Sequence, residues 1–314
     1  MLRYASAPLM RTFDDRASKP SRGPMDILKW KLLRRTERRA ADFAALDAVR
    51  PGICDGGAAA LASGDPVAVW IGHATWALRM GGMLLVTDPV WSRALSGVVR
   101  RLVAPGVALA AMPAVDIVLV THDHRDHMDL PTLRKIGAGP LYIVPLGNGP
   151  RIAHPRVVEL DWWQSHVVGE LEITLVPARH WSMRAPWNRN DTLWGGYVVR
   201  SPEGVAYHSG DTGFGDHFAE IGQRLGPIDW AMLPIGAYSP RWFMEPQHMD
   251  PIEAVQGFEA LRARHLLAMH WGTFRLTDEA IGEPPARLRA HWGERGLPDD
   301  RLWILDVGEP RFLR

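Results

Sequence analysis

The sequence contains almost no cysteine, no strong imbalance of charge and no long uninterrupted apolar run. Its single cysteine, Cys54, cannot form an intrachain disulfide, and a metal cage built from thiolates is excluded. The 36 basic and 35 acidic residues nearly cancel, so the overall charge does not favour nucleic acid as a partner. Two prolines and an aspartate interrupt the most apolar stretch, Leu102 to Val120, which therefore does not resemble a transmembrane helix.

The residues that are abundant are histidine and tryptophan, with 13 and 14 copies in 314 residues. Because thiolates are excluded, a metal site in this chain has to use imidazole and carboxylate ligands. The start of the chain, Met1 to Phe13, lacks a basic region followed by an apolar run, so no secretory signal is predicted. We expect a cytoplasmic protein and leave open a peripheral contact with the inner membrane surface.

The first 55 residues differ in pattern from the rest of the chain. Met1 to Pro24 shows no periodicity and predicts a weakly ordered arm, whereas Met25 to Val49 predicts a basic amphipathic helix. We favour a helix that packs on the main domain, with contact to an anionic membrane surface as the alternative. The chain is therefore divided into residues 1–55, an arm and helix, and residues 56–314, a single main domain.

After Gly64 the sequence changes to short apolar runs bounded by glycine, proline and aspartate, which predict strands. Gly81-Gly82 between two such runs predicts a hairpin, so part of the sheet is antiparallel and the fold class is α+β. The predicted strands are Val67–Ile71, Thr75–Met80, Met83–Thr87, Ile117–Thr121, Leu141–Val144, Leu171–Val176, Leu193–Val199, Val205–His208, Trp230–Pro234, Leu266–Met269 and Leu302–Leu305. The predicted helices are Pro131–Lys135, Phe218–Leu225, Pro251–Arg262 and Ala286–Trp292.

The pattern H-x-H-x-D-H, at residues 122 to 127, follows the predicted strand that starts at Ile117. A strand end that turns into a loop can aim His122 and His124 at one metal ion, while Asp126 and His127 face a second position. A solvated polar loop is the alternative. It is disfavoured because four such groups crowded after a buried strand would carry an unpaired polar cost.

A dinuclear site needs more ligands, and single candidates stand at the ends of later apolar runs. They are His180, Asp211 and His270. Taken alone, each is more typical of a turn or cap residue. Together with the first motif, they supply a third ligand for each metal and a carboxylate to bridge the two.

These blocks, in this order, resemble the metallo-β-lactamase superfold, which implies a four-layer αββα sandwich with two metals at one edge. More specifically, the region from Val67 to Phe274 resembles the family of N-acylphosphatidylethanolamine-hydrolysing phospholipases D. The blocks that carry this resemblance are Trp70–Thr75, Thr87–Pro89, Ala178–Trp181, Gly210–Gly213, Pro234–Met244, Gln247–Ala254 and His270–Phe274.

The resemblance implies a role for each matching position. One zinc ion would be held by His122, His124 and His180, and the other by Asp126, His127 and His270, with Asp211 bridging both. Asp88 would support a ligand through a hydrogen bond, and His248 would lie near the scissile phosphate. The catalytic residues implied are Asp211, His248 and Asp126. His73, beside the predicted hairpin, is interpreted as structural.

The implied activity is that of a zinc-dependent phosphodiesterase of lipid metabolism, in which a metal-bridging hydroxide cleaves an N-acylphosphatidylethanolamine-like phospholipid. Other divalent metals accept the same ligands. The alternatives are a phosphorylated-sugar lactonase, a small-molecule phosphodiesterase, and a metal-binding sensor without turnover. Trp181 and Trp242 either line an acyl-chain channel or belong to the core. Arg125, which stands where relatives commonly carry an aromatic residue, either contacts an anionic group or pairs with Asp123 or Asp129. The oligomeric state stays open.

Overall fold

The computed structural model describes residues 12–16, 25–26, 29–30, 43–152 and 154–313. Most of the predicted basic helix, including residues 27–28 and 31–42, lies outside the described residues. The described helices are α1 (Phe43–Ala48), α2 (Gly57–Ala62), α3 (Leu130–Ile136), α4 (Gly149–Ile152), α5 (His217–Leu225), α6 (Arg241–Met244), α7 (Pro251–Leu261) and α8 (Glu283–Glu294). Among these residues no helix has both the length and the apolar character needed to cross a membrane.

Two seven-stranded sheets form the centre of the fold. The first runs in the order β16 (Pro310–Phe312), β1 (Val67–Gly72), β2 (Thr75–Met80), β3 (Met83–Thr87), β6 (Ile117–Leu119), β7 (Leu141–Pro145) and β8 (Val157–Leu160). The second runs in the order β15 (Leu302–Trp303), β14 (His265–Met269), β13 (Trp230–Pro234), β12 (Gly204–His208), β11 (Gly196–Ser201), β10 (Leu171–Val176) and β9 (Ser165–Val168). A separate hairpin joins β4 (Ala94–Leu95) to β5 (Val99–Arg100).

The sheets face each other across a core rich in aromatic side chains, including the fully buried Trp70, Trp76, Trp194 and Tyr197. Outside the first sheet, Leu61 of α2 and Leu133 of α3 belong to two smaller apolar clusters. Outside the second sheet, α7 packs against α5, α8 and strands β13 and β14. The predicted αββα sandwich is therefore confirmed. Each sheet is covered on one face by the other sheet and on the opposite face by helices.

The predicted hairpin at Gly81-Gly82 is present, because Met80 pairs with Met83 and both glycines have positive φ. Three predicted strands have wrong bounds. The strand expected over Leu302–Leu305 ends at Trp303. The strand expected over Leu193–Val199 begins only at Gly196, since Leu193 N–H and Gly195 N–H donate instead to Leu146 O and Thr121 O. The strand expected over Ile117–Thr121 ends at Leu119, and Thr121 N–H donates to the Asp88 carboxylate.

The described end of the predicted basic helix packs on the main domain. Gly282 N–H donates to Leu46 O at 2.9 Å, and Asp47 forms an ion pair with Arg275. Farther along, Cys54 N–H donates to Val307 O at 2.8 Å. Residues 43–55 thus contact the sandwich closely, while the division of the chain at residue 55 stays a prediction.

Strand direction places several loops at one edge of the sandwich. In the first sheet β1, β3, β6, β7 and β8 run in the same direction, and in the second sheet so do β10, β12, β13 and β14. The carboxyl ends of such strands meet at a single edge. The histidines and aspartates singled out from the sequence follow β6, β10, β12 and β14, so the topology brings them together.

Candidate metal centre

The loop after β6 is held by a buried carboxylate from the end of β3. Asp88 accepts hydrogen bonds from Thr121 N–H at 2.7 Å, from the Thr121 hydroxyl at 2.8 Å and from His127 Nδ1 at 2.7 Å. Because the Thr121 hydroxyl gives its proton to Asp88, its oxygen accepts from His122 Nδ1, 3.0 Å away. Asp88 therefore orients two rings, His127 directly and His122 through Thr121, and leaves Nε2 of each for the site.

The first group of candidate ligands consists of His122, His124 and His180. Nε2 of His122 and Nε2 of His180 lie 2.9 and 3.1 Å from Nδ1 of His124. His180 donates its Nδ1 proton to the backbone carbonyl of Gln247 at 3.1 Å, so its Nε2 carries a lone pair. Three ring nitrogens with at most one proton between them converge on one point, which is an arrangement that suits a cation.

The second group contains Asp126, His127 and His270, which the sequence predicts, and also His73. Asp126 Oδ2 lies 3.0 Å from His73 Nε2 and 3.7 Å from Nε2 of both His127 and His270. His127 Nε2 and His270 Nε2 are 3.3 Å apart. One ligand atom from each of the four residues lies within 4.8 Å of the others, so this group too can hold a metal ion.

Asp211 lies between the two groups. Its Oδ1 is 3.1 Å from His270 Nε2, and its Oδ2 is 3.2 Å from His127 Nε2 and 3.9 Å from His180 Nε2. Gly210, just before it, has a φ of +60°, and a Cβ at this position would lie 2.8 Å from Thr121 Cβ. Glycine therefore allows the loop after β12 to approach the end of β6 and to insert Asp211 between the groups.

The electrostatic environments of the two groups differ. In the first group burial is the main cause that lowers the pKa of His124 to about 4 and of His180 to about 3, and burial with repulsion from His127 holds the pKa of His122 well below its usual value. In the second group burial acts in the same direction on His270, but Asp211 and Asp126 outweigh it and raise the pKa of His270 to about 9.

Asp211, Asp88 and Asp126 together raise the pKa of His127 well above its usual value against the effect of burial. The pKa values of Asp126 and Asp211 are held well below the usual range, chiefly by His127, although burial opposes this. Without a metal, the second group is a charged cluster of carboxylates and imidazolium ions.

His73 is the residue of the site that sequence reasoning did not place there. It follows β1 with a φ of +56°, is 1% exposed, and has its ring centroid 4.0 Å from that of His270. The signal that could have found it is topological, because β1 ends at the same edge as β6. His73 follows β1 as His122 follows β6.

His248 is placed beside the centre by the start of α7. Its Nδ1 lies 3.9 Å from Asp211 Oδ2, and its backbone carbonyl accepts a hydrogen bond from Arg241. Arg241 also binds both oxygens of Glu253, at 2.8 and 2.9 Å, and Glu253 with Asp250 forms the capping box of α7. The position of His248 therefore depends on a fixed helix start.

Three side chains whose roles the sequence leaves open have defined surroundings in the structure. The half-buried Trp181 packs edge-to-face against His124, with ring centroids 4.6 Å apart, and Trp242 lines a groove with Phe43 and Leu46. Arg125 is exposed and donates to Arg184 O at 3.2 Å. The expected partners of Arg125 have other contacts, because Asp123 pairs with Arg151 and Asp129 accepts from Thr132.

Comparison with known proteins identifies the family. The profile of the Beta-lactamase superfamily domain matches residues 84–271, which includes almost every candidate ligand. The chain belongs to the beta-lactamase superfamily. As a member of this superfamily with a histidine and aspartate cluster able to bind metal, it is a metal-dependent hydrolase.

Two relatives illustrate its place in the superfamily. An uncharacterized protein of Mycobacterium tuberculosis is 41% identical over 284 residues, covering 86% of this chain and 74% of the relative. N-acyl-phosphatidylethanolamine-hydrolyzing phospholipase D 1 of Caenorhabditis elegans is 37% identical over 264 residues, covering 77% of this chain and 74% of the relative. The family resemblance inferred from sequence motifs is thereby confirmed.

A solved structure supports the fold. A metallo hydrolase from the archaeon Ignicoccus hospitalis superposes with a TM-score of 0.63 at 21% identity, covering 79% of this chain and 98% of the other. At this identity the likeness concerns the fold alone, which agrees with the αββα sandwich.

Proposed function

We propose that this metal-dependent hydrolase is a zinc-dependent phosphodiesterase of phospholipase D type. It would act on N-acylphosphatidylethanolamine-like phospholipids and release a phosphatidic acid and an N-acylethanolamine. The observation that carries the proposal is Asp211, whose two oxygens approach ligand atoms of two adjacent groups. The identity to the phospholipase D of Caenorhabditis elegans, 37% over 264 residues, supports the choice of substrate.

The proposed ligands fall into the two groups described above. His122, His124 and His180 would hold one zinc ion, Asp126, His127 and His270 the other, and Asp211 would bridge them. Two zinc ions bound there would supply hydroxide near neutral pH and neutralise the oxygens of a phosphodiester. The catalytic domain would comprise residues 56–314, with the helical segment of residues 1–55 packed on it.

The residues of this chain contribute orientation, exclusion of water and hydrogen bonding. Asp88 fixes the tautomers of His122 and His127, and both rings are at most 1% exposed. His248 is neutral, because burial lowers its pKa to about 3, and a neutral imidazole offers one N–H to a phosphate oxygen or to the departing alcohol. The pKa values of Asp126 and Asp211 are well below the usual range, so both carboxylates stay ionised and would balance the positive charge of bound metal ions.

The test is a substrate panel on the purified, zinc-loaded protein. N-acylphosphatidylethanolamine, bis(p-nitrophenyl) phosphate and a lactone are assayed in parallel, with Asp211→Asn as the control and metal content measured in each sample. Lipid turnover that the control lacks supports the proposal. Cleavage of the small diester alone overturns the lipid substrate, cleavage of the lactone alone indicates a lactonase, and two bound metals with no turnover indicate a sensor.

A further inference from the structure

Two apolar side chains on separate segments are more exposed than any other large apolar side chain of the described residues. Trp187 is 84% exposed and Val98 is 80% exposed. Each stands on a hydrogen-bonded turn. Asn188 Oδ1 accepts from Arg184 N–H and Ala185 N–H at 3.0 and 2.8 Å around Trp187, and Val98 lies at the tip of the β4–β5 hairpin.

Both segments contact the loop that carries the H-x-H-x-D-H motif, from two sides. On the Trp187 side, Met183 N–H donates to Asp123 Oδ1 at 2.8 Å, and Arg184 donates to Met128 O at 2.9 Å. On the hairpin side, Ser92 N–H donates to Asp129 Oδ2 at 3.2 Å. The two exposed tips therefore flank the metal-ligand loop at the site edge of the sandwich.

Exposed positive charge lies on two of these segments, the hairpin and the motif loop, while Arg184 and Arg189 of the Trp187 segment are half-buried. Arg93, Arg100 and Arg125 are exposed, and residues 90–102, 122–128 and 181–191 contain no exposed acidic side chain. Asp126 and Asp191 are half-buried, and the other aspartate, Asp123, is buried. An exposed acid does lie nearby, because Asp14 accepts from Asn190 Nδ2 at 2.7 Å at the far end of the Trp187 loop.

We propose that Trp187, Val98, Arg93, Arg100 and Arg125 form a docking face for an anionic phospholipid surface. Tryptophan prefers the boundary between water and lipid, because its ring is apolar and its N–H still finds a polar partner there. Arginines contact lipid phosphates, and each contributes to attraction towards an anionic membrane surface. The exposed apolar tips favour a lipid surface over nucleic acid, which offers no apolar layer for them to enter. The inference rests on the proposed function only for the choice of a phospholipid as the occupant.

Docking on this face would bring the metal centre towards the phosphate layer of the membrane. The loop that carries Trp187 begins directly after His180, and Arg125 lies inside the motif itself. A headgroup could then reach the centre without the whole lipid leaving the bilayer. This gives Arg125 a role in surface binding instead of one at the metals, consistent with its exposed side chain and its bond to Arg184 O.

The experiment is co-sedimentation of the full chain with vesicles of phosphatidylcholine alone and of phosphatidylcholine mixed with phosphatidylglycerol. Neither vesicle contains an N-acyl phospholipid, so the outcome does not depend on turnover and is separable from failure of the proposed function. The variants are Trp187→Ala, Val98→Ser and the triple change Arg93→Glu, Arg100→Glu and Arg125→Glu. The matched controls are Val167→Ser and Arg156→Glu, two exposed positions near the opposite edge of the sandwich.

We expect the wild-type chain to prefer the anionic vesicles, and the preference to weaken with added salt. The triple change should lower the partition coefficient by about tenfold or more. Trp187→Ala should lower the partition coefficient several-fold, and Val98→Ser should lower it by a smaller factor. Both controls should bind as the wild type does. Thermal unfolding and metal content show that each variant is folded.

Three results would overturn the inference. One is equal binding to neutral and anionic vesicles, or no binding at all. Another is an equal loss of binding in the control variants. The third is that reversing Arg34, Arg35, Arg38 and Arg39 abolishes binding while the variants of the docking face bind normally, because the contact would then lie in the N-terminal segment.

Discussion

The two groups of candidate ligands in the metal centre differ in the charge that they carry without a metal ion. The first group, His122, His124 and His180, consists of buried imidazoles whose low pKa values keep them neutral at pH 7. The second group contains the carboxylate of Asp126, and the pKa values of His127 and His270 are raised, so that both rings are imidazolium ions at pH 7. His73 differs from them, because burial lowers its pKa to about 3. A metal ion can enter the first group without displacing a proton, whereas it must displace at least one from the second.

This difference shows what the surroundings of a ligand determine. Imidazole nitrogens converge in both groups, yet the carboxylates nearby decide whether the site without metal carries charge. Asp211 touches both groups, but it lies closer to His127 and His270, at 3.2 and 3.1 Å, than to His180, at 3.9 Å. It therefore influences the second group more strongly. The following predictions test whether the two groups behave as distinct sites.

The largest effect is expected from Asp211→Asn, which removes the negative charge shared by both groups. We expect kcat for a phosphodiester to fall by about three orders of magnitude, on the scale of losing a direct charge-stabilising group. The loss of bound metal should be greater in the second group. Steady-state kinetics and metal analysis measure both effects. Asp306→Asn, an exposed change that leaves the centre untouched, should behave as the wild type, and an active Asp211→Asn variant would contradict the assignment.

Asp88→Asn should weaken both groups, because Asp88 orients His127 directly and His122 through Thr121. Loss of such an outer partner lowers metal affinity by about 10- to 100-fold. Competition with a chromogenic chelator measures the affinity. The matched control is Asp229→Asn, whose carboxylate also accepts a backbone N–H, that of Val205 at 2.9 Å, but at the start of β13. Equal losses in the two variants would show that Asp88 has only a structural role.

Proton release should distinguish the groups without any mutation. The pKa of His270 is raised to about 9, so at pH 7 its ring is an imidazolium ion and a metal ion must displace one of its protons. His124 and His180, with pKa values of about 4 and about 3, are neutral at pH 7, so each already has one ring nitrogen without a proton. Affinity for the second ion should therefore rise with pH up to about 9, by about tenfold per unit for each displaced proton, and then level off. Calorimetry in buffers of different ionisation heat counts the protons. Equal release in both binding steps would contradict this prediction.

The smallest effect is expected from His73→Gln, which removes the imidazole 3.0 Å from Asp126 Oδ2. We expect the affinity of the second group to fall by up to about tenfold and that of the first group to stay unchanged. Stepwise metal titration separates the two. His265→Gln, at the start of β14, provides a control outside the centre. A matching loss in the first group would mean that His73 supports the fold and not the second group.

Sequence could predict those parts of the centre whose residues lie close together along the chain or directly after an apolar run. His122, His124, Asp126 and His127 lie within six residues after an apolar run, so spacing alone indicates a shared site. Each of His180, Asp211 and His270 follows an apolar run, which makes it a candidate ligand, and the structure places all three beside the motif.

The parts that sequence could not predict depend on contacts between distant segments. His73 meets Asp126 only because β1 and β6 end at the same edge of the sheet. The partner of Asp123 is Arg151, on α4, and not the neighbouring Arg125. Edge strands such as β8 and β9 are not indicated by the sequence, because their residues are largely half-buried or exposed and form no clear apolar run. The end of β6 at Leu119 and the start of β11 at Gly196 depend on backbone N–H groups that donate to partners outside the neighbouring strands. No local sequence pattern indicates these partners.

The most direct test of two distinct metal sites is anomalous diffraction at the zinc absorption edge from crystals of the zinc-loaded protein. The account predicts two peaks, one among His122, His124 and His180 and one among Asp126, His127 and His270, with the carboxylate of Asp211 between them. A single peak, or two peaks that leave either group empty, would contradict it.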